Sequence, residues 1–310
     1  MTAWLVDHAG PVERLEVVST ARKLMGPYKA SLDVRFKFHE SEFTLTYELR
    51  AGDPQVYLHL TGTWFQRGTP ATGVPVLRMA FPFALKNAQA RYEIPFGAVD
   101  RDLNEGQEVP ALQWAQVSGD AGDQRAGCLL LNDSKHGHSL DGSTLRLTLI
   151  RASCDPDPLP EIGQHEIHAA LRPFGGEIPV SQVIRIARNF NHSVRVVGTD
   201  IHKGPLPASA GLVTVHDEDV ILSSIKKAED RNALVFTLFN PTDKDCRPRL
   251  APNLNLLGAV ASAVEVDLIE RPVQESSATA RGNMVSVSVP ARGIASVMIQ
   301  LKRPARGKKA

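Results

Sequence analysis

A chain of 310 residues is long enough for one large domain or two ordinary ones, and its 43% of hydrophobic residues can fill real cores. A net charge of +1 gives no broad positive field, and aromatic residues make up only 6% of the chain. These values argue against a nucleic-acid surface, which needs clustered basic charge or a platform of aromatic rings.

The three cysteines, Cys128, Cys154 and Cys246, show neither a C-x-x-C spacing nor an even count. That pattern disfavours a disulfide framework and is typical of a reducing compartment. No segment approaches the roughly 18 uninterrupted apolar residues of a membrane span, and the first residues do not resemble a secretion signal. We therefore expect a cytoplasmic protein that binds neither membranes nor nucleic acid.

The first half of the chain alternates apolar and polar residues with the two-residue period of half-buried strands. In residues 31–39, for example, Leu32, Val34 and Phe36 share one face and charged residues share the other. Further strands are predicted at residues 43–49, 55–60, 76–83, 90–94, 128–131 and 145–149. Turn-forming residues separate these segments, which indicates an antiparallel sandwich of many strands.

A helix is predicted over residues 180–191, where Val183, Ile184 and Ala187 recur at helical spacing after Pro179. We expect it to be the only substantial helix and to connect two β domains. A second set of strands is predicted at residues 213–215, 220–226, 233–239, 263–268, 284–289 and 295–301.

These elements predict four regions. A large β-sandwich covers residues 1–178, a helical connector covers 179–204, and a small β-sandwich covers 205–302. The remaining residues, 303–310, include four basic side chains and are expected to form a disordered tail.

The segment 132–138 concentrates polar side chains between two predicted strands, where loops often display binding residues. A hydroxyl-rich ligand needs amide and carboxylate partners, a cation and an aromatic face. The candidates are Asn132, Asp133, Lys135 and His136 for the polar contacts, with Tyr92 or Trp114 for the aromatic face. In the alternative interpretation, Asn132 and Asp133 only satisfy backbone groups of the turn.

The histidines are poor candidates for a metal site. His165 and His168 lack the spacing of the H-E-x-x-H motif and would point to opposite faces of a strand. His136 and His138 share a face but have no nearby carboxylate, so we interpret both as surface-loop histidines. No metal ligand is predicted in this chain.

Four segments carry a resemblance to a known family. They are residues 91–101 (RYEIPFGAVDR), 108–114 (EVPALQW), 131–137 (LNDSKHG) and 163–173 (GQHEIHAALRP). In this order they resemble the C-terminal β region of glycoside hydrolase family 38, the α-mannosidases. Weaker similarity runs from about residue 10 almost to the C-terminus, so the resemblance covers most of the chain.

The resemblance implies a large mutarotase-like antiparallel β-sandwich, a short helix and a smaller C-terminal β-sandwich. In the family, an N-terminal domain supplies the zinc ligands, the aspartate nucleophile and the acid/base aspartate. Zinc is therefore expected only in such a catalytic domain, and this chain is expected to need no cofactor and to be inactive alone. Asp155 and Asp157 alternate with prolines, which favours a stiff polar loop over a catalytic carboxyl pair.

The resemblance also implies that the loop approaches the active site, where a basic side chain contacts the substrate. The matching position here is Lys135, followed by His136 where some relatives have a tyrosine. The expected function is to supply carbohydrate-binding and domain-packing surface to an α-mannosidase acting on mannose-containing glycans. The expected partner is a separately encoded catalytic domain or a second copy of the chain. The alternative is a stand-alone, non-catalytic carbohydrate-binding or protein-interaction module.

Overall fold

The computed structural model describes residues 11–101, 107–159, 161–204 and 207–302. The chain divides into two compact units, one comprising the residues up to Ile178 with Arg185–Ser193, the other Pro179–Ile184 with the residues from Val194 onward. Antiparallel sheets dominate both units, so the prediction of an all-β chain is confirmed. The predicted basic tail, residues 303–310, lies outside the described residues.

Among its described residues, the first unit contains thirteen strands. In chain order they are β1 (Glu16–Met25), β2 (Lys29–Phe38), β3 (Ser41–Arg50), β4 (Val56–Trp64), β5 (Val76–Pro82), β6 (Lys86–Ile94), β7 (Gly97–Asp100), β8 (Val109–Pro110), β9 (Trp114–Ala121), β10 (Gln124–Asn132), β11 (Gly137–Asp141), β12 (Thr144–Arg151) and β13 (Gly163–Gly175). Nine of them form one sheet in the order β1-β2-β3-β4-β13-β10-β9-β6-β7. The other four form a second sheet in the order β5-β12-β11-β8.

The two sheets enclose the core of the first unit. Leu58 of β4 and Ile167 of β13 point from the large sheet into this core, where they join Leu145 of β12. Because successive side chains of a strand point to opposite faces, His59 and His168 lie on the other face of the large sheet. Glu166, two residues before His168, lies on the same outer face.

The strand β1 is absent from the sequence-based prediction, although it pairs with β2 along its length, from Glu16 to Met25. All ten of its residues are exposed, so its sequence carries no alternation between a buried and a solvated face. Apolar residues such as Val17 and Val18 are adjacent there instead. A strand of this kind is defined by its backbone hydrogen bonds and not by its pattern.

The helix α1 (Val180–Asn191) has the bounds that its periodicity predicts. Val183 and Ala187 are fully buried, as expected for the apolar stripe of the helix. A second helix, α2 (Leu254–Leu257), is a single turn capped by the side chain of Asn253. Within the described ranges, no helix is long and apolar enough to cross a membrane.

The second unit contains two four-stranded sheets in the part of the chain that the structure describes. Its strands are β14 (Val213–Val215), β15 (Ile221–Lys227), β16 (Ala233–Phe239), β17 (Arg249–Pro252), β18 (Ala259–Val266), β19 (Thr279–Arg281), β20 (Met284–Ser286) and β21 (Ile294–Lys302). The sheet orders are β14-β17-β20-β19 and β15-β16-β21-β18. Phe236, Leu250 and Val297 are fully buried in a core of this unit's own.

All three cysteines are free thiols. Cys128 packs in the core of the first unit, where burial raises the pKa of its thiol to about 12. The thiol therefore stays protonated at neutral pH and behaves as a small apolar side chain.

Candidate functional site

The predicted binding loop is a four-residue turn, residues 133–136, that leads from β10 in the large sheet to β11 in the small one. Asn132 anchors this turn. Its side-chain Oδ1 accepts a hydrogen bond from the Lys135 N–H at 2.9 Å, and its Nδ2 donates to the Leu112 carbonyl at 3.1 Å. The Asn132 side chain is fully buried and is occupied by these two bonds. The prediction of Asn132 as a ligand contact is therefore corrected: it satisfies backbone groups, as in the alternative interpretation.

The turn rests on the segment before β9. The Asn132 N–H donates to the Gln113 carbonyl at 2.9 Å, while the Gln113 N–H donates to the Glu93 carboxylate at 2.6 Å. Burial raises the pKa of Glu93, and the hydrogen bond from Gln113 and the charge of Arg188 oppose that rise. Glu93 thus fixes Gln113, and Gln113 in turn accepts the hydrogen bond that anchors the turn at Asn132.

The side chains of His136 and Lys135 differ in whether they are hydrogen-bonded within the chain. The His136 ring is exposed, with Nδ1 lying 3.2 Å from the carbonyl oxygens of both Ala111 and Leu112, so an Nδ1–H donor fixes the ring. The half-buried Lys135 side chain makes no hydrogen bond or ion pair with the residues that the structure describes. Its ammonium is therefore available to a ligand.

The two predicted aromatic contacts are corrected by the structure. Tyr92 of β6 points into the core between the sheets, and Trp114 of β9 is equally buried. Neither ring presents a face to solvent, so neither can stack on a sugar. Residues 114–117 of β9 are buried on both faces, which removes the alternation that would have revealed their burial in the sequence.

His138 is also corrected, from a surface-loop histidine to a buried residue of β11. Its Nδ1 donates weakly to the His136 carbonyl at 3.3 Å, and its ring edge faces Tyr92. Burial lowers the pKa of His138 to about 4. The hydrogen bond from His138 to the His136 carbonyl opposes this lowering, whereas the electrostatic effect of the His136 ring adds to it. The imidazole is therefore neutral at physiological pH.

The Asp133 carboxylate contacts both β13 and its own turn. Its Oδ2 lies 2.8 Å from Nδ1 of His168, and its Oδ1 accepts a hydrogen bond from the Ser134 hydroxyl at 2.8 Å. His168 in turn stacks on His59 of β4, with ring centroids 4.3 Å apart. Glu166 lies between the two imidazoles, 2.9 Å from His59 Nε2 and 3.7 Å from His168 Nε2.

This cluster of His59, Glu166 and His168 was missed by the sequence analysis, which considered His168 only with His165. The prediction that those two histidines face opposite ways is consistent with their contacts, since His165 bonds to the Glu161 carbonyl. The partner of His168 comes from β4, directly opposite it in the pairing of β4 with β13. Only that register brings His59 to the site.

A cavity of about 590 Å³ lies elsewhere in the first unit, beside β6, β9 and β10. Charged side chains, including Arg91, Asp100 and Arg125, line it, and Arg91 forms a two-bond ion pair with Asp100 at 2.7 and 2.9 Å. None of the residues predicted to bind a ligand lines this cavity.

Asp157, considered above for catalysis, accepts a hydrogen bond from the Leu159 N–H at 2.9 Å, which fits a stiff polar loop.

The comparisons with known proteins agree with this architecture. Residues 1–159 match the model of the glycosyl hydrolases family 38 C-terminal domain, and residues 219–302 match that of the family 38 C-terminal beta sandwich domain. Among solved structures, an α-mannosidase from Enterococcus faecalis matches 93% of this chain and 35% of its own, with a TM-score of 0.72 and 15% identity. At that identity the match shows the fold alone.

Curated relatives extend the match in sequence. Alpha-mannosidase 2C1 of Homo sapiens is 30% identical over 269 residues, which is 83% of this chain and 24% of that protein. Alpha-mannosidase of Saccharomyces cerevisiae is 32% identical over 178 residues, or 54% of this chain and 16% of that protein. The chain thus spans about a quarter of the human relative. It belongs to glycosyl hydrolase family 38, and its matched residues are those of the family's C-terminal domains.

Proposed function

We propose that this chain is the C-terminal β region of an α-mannosidase that hydrolyses terminal α-mannosyl residues, and that the turn 133–136 contacts the bound glycan. Family membership and the names of the curated relatives support the first part. A catalytic domain, bearing the zinc ion and the catalytic aspartates, is the partner that this proposal requires.

The free ammonium of Lys135 carries the second part of the proposal. The backbone of Lys135 is fixed by Asn132, so the side chain leaves the turn from a defined position. An ammonium can donate three hydrogen bonds, which suits sugar hydroxyls. Rigid support lowers the entropy that a flexible loop would lose on binding.

Asp133 and His136 have supporting roles in this proposal. The Asp133 carboxylate accepts from Ser134 and His168 but remains exposed, so it has further acceptor capacity. The exposed His136 ring, fixed through Nδ1, leaves Nε2 as a second polar group on the same turn. Asp133, Lys135 and His136 thus bring three polar side chains to one turn.

The test is the substitution Lys135→Ala, measured in an enzyme assembled from this chain and a family 38 catalytic domain. We expect kcat/KM for an aryl α-mannoside to fall, because a charged hydrogen bond to the substrate is lost. The fall should correspond to about 1–3 kcal/mol of transition-state stabilisation. The melting temperature should hardly change, as for other surface substitutions. The control is Lys37→Ala, which removes an exposed lysine from β2. Unaltered kinetics, or an equal loss in the control, contradicts a sugar contact by Lys135.

A further inference from the structure

The outer face of the large sheet carries three side chains that converge on one point. His59 of β4 and His168 of β13 are direct cross-strand partners, and their rings are nearly parallel, with an interplanar angle of 12°. Glu166 precedes His168 by two residues and so projects from the same face. One ligand atom from each of the three lies within 4.8 Å of the other two.

We infer that His59, Glu166 and His168 form a binding site for a divalent transition-metal ion of the zinc class. Zinc bonds of about 2.0–2.2 Å in a tetrahedral site place neighbouring ligand atoms roughly 3.3–3.5 Å apart. The Glu166 oxygen lies 2.9 Å from His59 Nε2 and 3.7 Å from His168 Nε2, which brackets that spacing. Because a metal ion lies in the plane of each ligating imidazole, the two stacked rings must rotate out of their parallel arrangement to bind one ion.

Asp133 supplies the second observation that points to a metal. Its Oδ2 lies 2.8 Å from His168 Nδ1, so Nδ1–H donates a hydrogen bond to this carboxylate. The lone pair of His168 is then on Nε2, the atom that faces Glu166. A carboxylate behind a ligating histidine is the usual arrangement in metal sites, where it fixes the tautomer and strengthens the ligand.

The charges around the cluster favour a cation. The Asp133 carboxylate contacts His168, the Glu166 carboxylate lies near both imidazoles, and no described Lys or Arg forms an ion pair with either carboxylate. The side chains of His59, Glu166 and His168 are 39%, 64% and 45% exposed, so an ion can enter without unfolding. At this exposure the ion pairs alone contribute little stability.

The ligand set determines the class of ion. Two imidazoles and one carboxylate suit Zn²⁺, Co²⁺ or Ni²⁺, whereas Mg²⁺ and Ca²⁺ prefer oxygen ligands only. Three protein ligands leave a fourth position for water or another oxygen ligand. This site departs from the expectation that the chain holds no metal, and it does not depend on the proposed function.

The test is Zn²⁺ and Co²⁺ titration of the full chain after treatment with a chelator, in competition with a chromophoric chelator. We expect one ion per chain, a Co²⁺ absorption spectrum typical of low coordination number, and a higher melting temperature with Zn²⁺. His59→Ala and His168→Ala should each weaken binding at least about 100-fold, and Asp133→Asn about 10- to 100-fold. Glu166→Gln, which keeps the size of the side chain, should also weaken binding.

The matched control is His165→Ala, which removes a histidine of the same strand that contacts Glu161 and not the cluster. Its affinity for Zn²⁺ should equal that of the unmodified chain. Melting temperatures measured without metal show whether each variant is folded. The inference is overturned if no stoichiometric ion binds, if folded His59→Ala and His168→Ala variants keep their affinity, or if His165→Ala loses as much affinity as they do.

Discussion

His138 illustrates how a residue's burial decides its chemistry. Its sequence neighbours make it look like a loop residue, but Gly137 already begins β11, and the alternation of that strand turns His138 inward.

The loop itself could be predicted because its polar residues interrupt two apolar runs. The burial of Tyr92 and Trp114 could not, since it depends on what covers each face of the sheet and not on local pattern.

The pKa of His138, lowered to about 4 by burial, makes stability depend on pH. In the unfolded chain the imidazole takes up a proton near its ordinary value of about 6.5, whereas the folded chain resists protonation until about pH 4. The unfolded state therefore binds more protons in this window, and stability contributed by the neutral ring is lost as pH falls from about 6.5 to 4. Below about pH 4 the total loss of unfolding free energy from this group is about 3 kcal/mol.

We expect the substitution His138→Leu to flatten the dependence of unfolding free energy on pH between about 6.5 and 4. Urea unfolding at several pH values measures it. His202→Leu, which replaces an exposed histidine, is the control and should leave the dependence unchanged. An equally steep dependence in the His138 variant would show that other groups cause it.

At the scale of elements, the packing of β3 against β4 depends on Gly62. A Cβ atom at Gly62 would overlap the carbonyl oxygen of Glu42 and the ring of Phe43. We therefore expect Gly62→Ala to lower the free energy of unfolding by about 1–3 kcal/mol, as overpacking does. Gly175→Ala in β13, where nothing lies within 4 Å of the added atom, should have little effect. Equal effects of the two substitutions in urea unfolding would contradict this packing.

The elements with clear periodicity, such as β2, β3 and α1, could be predicted because one face of each is buried and the other is polar. The register between elements could not. His59 and Glu166 are separated by 107 positions in the chain, and no feature of either segment specifies their pairing. Register follows from the packing of the whole sheet, so the cluster on its outer face becomes visible only in the structure.

At the scale of the whole molecule, each unit has its own apolar core, and the family models match one stretch in each. The turn 133–136 and the outer-face cluster both belong to the first unit. The pattern of predicted strands on either side of one helix indicates two β domains without specifying a ligand. The resemblance to a family, carried by four short segments, supplies the functional expectation that composition lacks.

The most direct measurement of the proposed function is the hydrolysis of an aryl α-mannoside by the purified chain alone, by a family 38 catalytic domain alone, and by the two together, all with Zn²⁺ present. We expect no hydrolysis by the chain alone, even with Co²⁺ in place of Zn²⁺, because the resemblance assigns the nucleophile to the other domain. The two together should hydrolyse the substrate faster than the catalytic domain does alone. Turnover by the chain alone above the rate in buffer, or no gain when the two are combined, would contradict its assignment as the C-terminal region of an α-mannosidase.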